Sequence, residues 1–157
     1  MLSEQLKQQI DREIAKYPVN QQQSAVMAAL RFVQEGKGWI DTPDMDDVAV
    51  YLGMPTIAVY EVASFYNMYD LKPVGKYKIT LCTNLPCSLG GAMETAEYLK
   101  KRLGINFGET TPDGRFTLKE GECFGACGDA PCFIVNNRKM HSLMTPDEVD
   151  KFLAQLD

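Results

Sequence analysis

Leu81-Cys82-Thr83-Asn84-Leu85-Pro86-Cys87 is the stretch on which the reading of this chain turns. Two thiols stand four residues apart in it. The six residues before Cys82, Lys-Tyr-Lys-Ile-Thr-Leu, place Tyr77, Ile79 and Leu81 on one face, the alternation of a half-buried strand. Cys82 therefore ends a strand, and Cys87 stands just ahead of a helical stretch. Further along, Glu122-Cys123-Phe124-Gly125-Ala126-Cys127 carries a second thiol pair with three residues between. Thirty-five residues lie between Cys87 and Cys123. Four thiolates drawn from two loops are a ligand set for a soft metal centre, and iron–sulfur clusters are held in this way.

Outward from this stretch the chain changes character. Before it, apolar residues recur at helical spacing. A helix is expected over residues 3–16, with Leu6, Ile10 and Ile14 on one face, and a second over 22–35, with Val26, Ala29, Leu30 and Val33. Thr42 followed by Pro43 reads as the cap of a third helix carrying Met45, Val48, Ala49 and Leu52. Pro55 opens a fourth over 56–65. Pro73 and Gly75 punctuate a boundary. Beyond the first cysteine pair, one helix is expected over 88–103, with Met93, Ala96, Leu99 and Leu103 on a face. Thr111-Pro112-Asp113-Gly114 is a turn, and short strands follow over 115–118, 132–135 and 139–141, the last two joined through Asn136-Asn137. A final helix opens at Thr145 and carries Val149, Phe152, Leu153 and Leu156. The fold class is thus α+β: a small helical bundle over 1–72, then an α/β domain over 73–157.

Composition narrows the function. The chain has 157 residues, of which 45% are hydrophobic, enough for an ordinary core. Sixteen basic residues against 21 acidic ones give a net charge of −5, and no basic run occurs, so nucleic acid is not expected as a partner. No apolar stretch is long enough to span a bilayer, so no direct membrane insertion is expected. Residues 1–11 are polar and charged, unlike a secretory leader, and the expected location is cytoplasmic. Five cysteines is an odd number, which favours thiol or metal chemistry over a disulfide framework.

Three readings of the cysteines compete. A [2Fe-2S] cluster on Cys82, Cys87, Cys123 and Cys127 needs four thiolates and no histidine. A structural zinc site, in a colourless interaction module, usually takes Cx2C knuckles, which are absent here, and the chain has one histidine. A dithiol redox protein takes C-x-x-C ahead of a helix, whereas Cys82 and Cys87 are four residues apart.

The Cx4C pair and the E-C-x-G-A-C context of the second pair resemble the thioredoxin-like [2Fe-2S] ferredoxin family. The family includes the 24-kDa subunit of NADH:quinone oxidoreductase, respiratory complex I. The resemblance extends through Glu61-Val62-Ala63-Ser64-Phe65-Tyr66, Pro73-Val74-Gly75, the stretch from Gly108 to Leu118, and Ala130-Pro131. It implies a thioredoxin-like second domain and one [2Fe-2S] cluster with Cys82, Cys87, Cys123 and Cys127 as both its cofactor-binding and metal residues. It also implies an electron-transfer role beside a subunit that binds FMN and NADH, in the peripheral arm of a membrane-associated complex. No catalytic residue and no NADH oxidation by the chain alone are expected. The matching diaphorase-type subunit of an NAD-linked hydrogenase or formate dehydrogenase shares these motifs.

Four features lie outside that pattern. Cys132, after Pro131, is expected to be a buried strand cysteine packing as a small hydrophobe, with ligand swapping or oxidative damage near the cluster as the alternative. Phe65, Tyr66 and Tyr69 are expected in a helical core, with an interface as the sharper alternative. His141 is expected on an exposed strand position, and Asp44, Asp46 and Asp47 at a solvated helix start.

Overall fold

A computed structural model describes residues 1–156 and divides the chain into two compact units, Met1–Pro73 and Val74–Asp157.

The first unit is all helical: α1 (Glu4–Ile14), α2 (Val26–Lys37), α3 (Thr42–Leu52) and α4 (Thr56–Phe65), with a short 3₁₀ turn at Gln22–Ala25 leading into α2. Each apolar stripe turns inward, so Ile10, Leu30, Ile40, Val48, Leu52 and Val59 are fully enclosed in one core. The third helix is capped one residue earlier than the sequence suggests. Asp41, not Thr42, is the N-cap: its carboxylate accepts from the Asp44 N–H at 3.0 Å, and the Asp44 carboxylate accepts from the Asp41 N–H at 3.0 Å. A carboxylate cap closed reciprocally with an acidic third residue satisfies two otherwise orphaned donors, which a threonine at the next position cannot do. Asp44 thus has a structural partner, and Asp47 pairs with the N-terminal ammonium at 2.5 Å. The aromatic group splits. Tyr69 is buried and its hydroxyl donates to the Met27 carbonyl at 2.8 Å, whereas Phe65 and Tyr66 at the end of α4 are exposed, counter to the core expectation. Helical spacing groups the three, but α4 ends at Phe65 and Tyr66 is already extended, so Tyr69 does not continue the helix.

The second unit is a four-stranded mixed sheet ordered β2-β1-β3-β4, where β1 is Tyr77–Cys82, β2 Phe116–Gly121, β3 Phe133–Val135 and β4 Lys139–His141. β1 runs parallel to β2 and antiparallel to β3. The parallel pair requires a crossover, supplied by α5 (Leu85–Leu89) and α6 (Ala92–Leu103). The single helix expected over 88–103 is therefore two helices. Gly91 sits at φ +95° between them, a left-handed conformation that ends one helix and lets the next start in a new direction. β1 is an inner strand, so Lys78 and Cys82 are enclosed as well as Ile79 and Leu81. Alternation alone does not anticipate that, because it assumes one wet face. Ala96 and Leu99 of α6, with Val149 and Phe152 of α7 (Pro146–Ala154), pack with Ile79, Leu81, Leu118 and Phe133. The β3–β4 turn passes through Asn136 and Asn137, both with positive φ. The Asn136 side chain locks this hairpin to β1 by accepting from the Lys78 N–H at 2.7 Å and donating to the Lys76 carbonyl at 3.0 Å. His141 is half-buried rather than exposed, with its ring 4.7 Å from Phe152 and 5.4 Å from Phe133, and burial lowers its pKa.

Candidate metal centre

The register of the parallel pair brings the two cysteine stretches to the same end of the sheet. Cys82, the last residue of β1, stands opposite Gly121, the last residue of β2, and Cys123 follows two residues later. Cys87 sits inside α5 rather than ahead of it, as the third residue of that short helix. Cys127 opens a 3₁₀ turn, Cys127–Asp129.

Polar contacts tie the two loops together. The Thr83 hydroxyl donates to the Glu120 carboxylate at 2.6 Å, and the Asn84 amide donates to Glu122 at 3.4 Å. The Ser88 hydroxyl donates back to the Thr83 carbonyl at 2.8 Å, closing the first loop on itself. Close packing does the rest. A Cβ built on Gly90 would lie 2.6 Å from the Ala130 Cβ, and one on Gly121 would lie 2.6 Å from the Phe124 ring and 2.7 Å from Thr80. Glycine at these two positions is what permits the approach of the loops and the seating of Phe124. Glu122 belongs to the E-C-x-G-A-C motif, but no role for Thr83, Asn84, Glu120 or Gly121 is singled out by the sequence pattern. Their roles arise from strand pairing across more than thirty residues, which spacing does not reveal.

The thiols fall into an enclosed set and an open set. Cys82, Cys87 and Cys132 are buried together with Ala92, and Phe124, Ala126, Cys127 and Ala130 pack against them. Cys123 is exposed and Cys127 half-buried. Cys132, beside β3, is thus a neighbour of the predicted ligands and not a distant filler of the sheet core. Burial, then hydrogen bonding with Cys82, pushes the Cys87 thiol up to about 12, and burial also raises Cys132. The Cys82 Sγ has a long contact, 3.7 Å, with the Asn84 Oδ1. On the open side, the Gly125 N–H donates to the Cys123 Sγ at 3.3 Å, and Gly125 holds φ +74°. Backbone N–H groups aimed at cysteine sulfur stabilise thiolate ligands and tune reduction potential.

This donor set fits a [2Fe-2S] group. All of its potential ligands are sulfur, the enclosed thiols gain their anionic form when a cation offsets the desolvation, and an N–H already points at an outer sulfur. Among the described residues, no group of three or more His, Cys, Asp or Glu side chains is already placed around a single metal ion. Among the described residues, no helix is long and apolar enough to cross a membrane.

Comparison with known proteins places these features in context. The model of the thioredoxin-like [2Fe-2S] ferredoxin family matches residues 10–157. An NADH-quinone oxidoreductase subunit of Rickettsia conorii is 42% identical over 144 residues, which cover 91% of this chain and 86% of that one. A second NADH-quinone oxidoreductase subunit, from Thermus thermophilus, is 39% identical over 147 residues, covering 94% and 81%. The mitochondrial NADH dehydrogenase [ubiquinone] flavoprotein 2 of Dictyostelium discoideum is 43% identical over 129 residues, which span 82% of this chain and about half, 52%, of that one. Among solved structures, an NAD+-reducing [NiFe]-hydrogenase in the air-oxidised state aligns with a TM-score of 0.70 at 20% identity, over 83% of this chain and 22% of the hydrogenase chain. At that identity the likeness is one of fold.

Proposed function

The chain belongs to the thioredoxin-like [2Fe-2S] ferredoxin family, and on that premise we propose that Cys82, Cys87, Cys123 and Cys127 hold its one [2Fe-2S] cluster and that it serves as the electron-transfer subunit of an NADH:quinone oxidoreductase. The observation that carries the reading is the Cys82–Gly121 register, which brings two separate thiol pairs to one end of the sheet. Likeness to NADH-quinone oxidoreductase subunits along most of the chain supports the biological setting.

When bound, the cluster supplies one-electron chemistry. The chain's own residues set the conditions. Cys82 and Cys87 offer sulfur in an enclosed, low-dielectric pocket, whereas Cys123 and Cys127 offer it near solvent. The open pair thus marks the edge at which a partner's electron donor would approach. Glu120 and Glu122 keep carboxylates beside the first loop. Fixed negative charge next to a group that becomes more negative on reduction lowers its potential. The Gly125 N–H works in the opposite direction.

Hydride transfer from NADH delivers two electrons together, so an acceptor such as FMN must intervene before a one-electron centre. The sequence has no strand followed by G-x-G-x-x-G and a helix. The reading therefore assigns NADH oxidation to a flavin-bearing partner and puts the chain in the peripheral arm of the complex. Likeness to the hydrogenase keeps a diaphorase-type module as a second setting for the same chemistry. The test is to mix purified, cluster-loaded chain with NADH. Its visible band should persist with NADH and bleach with dithionite, and NADH should bleach it only after the flavin-bearing partner is added. Rapid bleaching by NADH in the rigorously purified single chain overturns the assignment.

A further inference from the structure

The fifth cysteine is placed where the function as read gives it no task. Leu81 of β1 pairs with Phe133 of β3, and the next rung sets Cys82 opposite Cys132, with the Cys82 N–H donating to the Cys132 carbonyl at 3.2 Å. Residues directly opposite on antiparallel strands point to the same face, with Cβ atoms about 4.5–5.5 Å apart. Cys87 reaches the same spot from α5, and all three side chains are essentially inaccessible, at 0%, 1% and 0% exposure for Cys82, Cys87 and Cys132. Cys87 and Cys132 belong to one buried cluster with Cys82 and Ala92. A small apolar residue would fill the same volume, but here the filler is a soft metal ligand whose neighbours are two other soft ligands. Tetrahedral thiolate sites with metal–sulfur bonds of about 2.3 Å put two sulfurs about 3.8 Å apart, which a cross-strand rung can span.

We propose that Cys132 is a reserve ligand: when the Cys87 sulfur is removed, the Cys132 thiolate takes its coordination position beside Cys82. The proposal rests on the ligand reading above. It implies that the Cys87 position has a substitute on the facing strand, whereas loss of a sulfur from the open loop, Cys123 or Cys127, is not made good from the Cys82 rung.

The test uses the full chain and its variants, reconstituted anaerobically with iron and sulfide. Iron and acid-labile sulfide per chain, the visible spectrum and the electron paramagnetic resonance of the reduced form are the readouts. The wild type and Cys132→Ala should load fully with the same spectrum. Cys87→Ala should keep iron and sulfide within about twofold of the wild type but with a shifted spectrum, and Cys87→Ala/Cys132→Ala should fall roughly tenfold below it. Cys127→Ala, which removes a sulfur of the open loop and leaves Cys132 facing Cys82, should fall as far as the double variant. Equal iron in Cys87→Ala and the double variant, whether both high or both low, overturns the proposal. Where the alanine variants fail to fold, Cys87→Ser and Cys87→Ser/Cys132→Ala decide it: different spectra support a thiolate substitution, and identical spectra contradict it. Failure of the wild type to load iron contradicts the ligand reading itself and is distinct from both outcomes.

Discussion

The two units of this chain solve the problem of an interior differently. In Met1–Pro73 the enclosed residues are apolar apart from Asp70, and a single core from Ile10 to Tyr69 is closed by its own packing. Val74–Asp157 has an apolar core of the same kind around Ile79, Leu99, Leu118 and Phe133, but beside it lies a second enclosed set made chiefly of thiols, Cys82, Cys87 and Cys132 with Ala92. Thiols there are stable as small hydrophobes while protonated, and as ligands once a metal offsets their charge. One unit is therefore complete as folded polypeptide, whereas the other has a region whose final energy depends on what it binds.

That contrast can be broken most forcefully by removing iron. Metal binding would close a loop running from Cys82 to Cys127, and its free energy would add to folding. Stripping the cluster should lower the melting temperature of the second unit by about 10 °C or more. In hydrogen exchange the amides after Gly75 should lose protection while those of α1–α4 keep it. Equal loss in both units would show that they do not differ as described.

A smaller effect, opposite in sign between the units, is expected from the same substitution at two glycines. Gly90 lets the first cysteine loop touch Ala130, and a Cβ there would sit 2.6 Å from the Ala130 Cβ. Gly90→Ala should cost about 1–3 kcal/mol and reduce iron loading, because the two loops must part. Gly36 lies in the last turn of α2 with nothing within 4 Å of a Cβ position. Gly36→Ala should be neutral or stabilise by up to about 1 kcal/mol, with no change in the visible spectrum. Thermal melting of both variants, beside iron content, checks the pair, and a destabilising Gly36→Ala would blur the contrast.

The smallest expected effect is confined to the helical unit and depends on pH. The Lys37 ammonium, then the Asp44 N–H, hold the Asp41 carboxyl below its usual range. A carboxyl depressed in the folded state contributes stability that is present above its unfolded pKa of about 3.9 and is lost as pH falls through the lower folded value. Asp41→Asn keeps the helix cap but cannot titrate, so it should flatten the acid loss of stability of this unit below about pH 4. Unchanged acid dependence in a pH series of thermal melts would mean that other carboxylates dominate.

Several elements were legible because they depend on local chemistry. The strand over Lys139–His141 and the helix Thr56–Phe65 have the bounds their patterns give, and Gly104 ends α6 as expected. Asp41 is hidden as a cap because Thr42-Pro43 presents the stronger local signature, while the reciprocal bond with Asp44 is visible only in three dimensions. The break at Gly90-Gly91 is hidden in the sequence because the apolar spacing of α6 can be extended backward through Ser88. For the candidate site, spacing names the four paired cysteines, but the scaffold that draws their loops together is non-local. The Thr83–Glu120 bond, the Gly90–Ala130 contact and the rung that puts Cys132 against Cys82 all depend on β1 pairing with β2 and β3. A pattern read along the chain assigns Cys132 to a strand interior and cannot tell that the interior is lined with sulfur.

Everything proposed for the second unit depends on the paired cysteines holding a one-electron [2Fe-2S] centre. Electron paramagnetic resonance of the chain, reconstituted with iron and sulfide and reduced with dithionite, probes that centre itself. The oxidised protein should be silent and reduction should produce the signal of one half-spin centre. That signal should be lost in Cys127→Ala and change little in Cys132→Ala. A colourless protein that binds zinc and gives no signal after reconstitution and reduction would contradict the ligand reading, as would a signal that survives Cys127→Ala and disappears in Cys132→Ala.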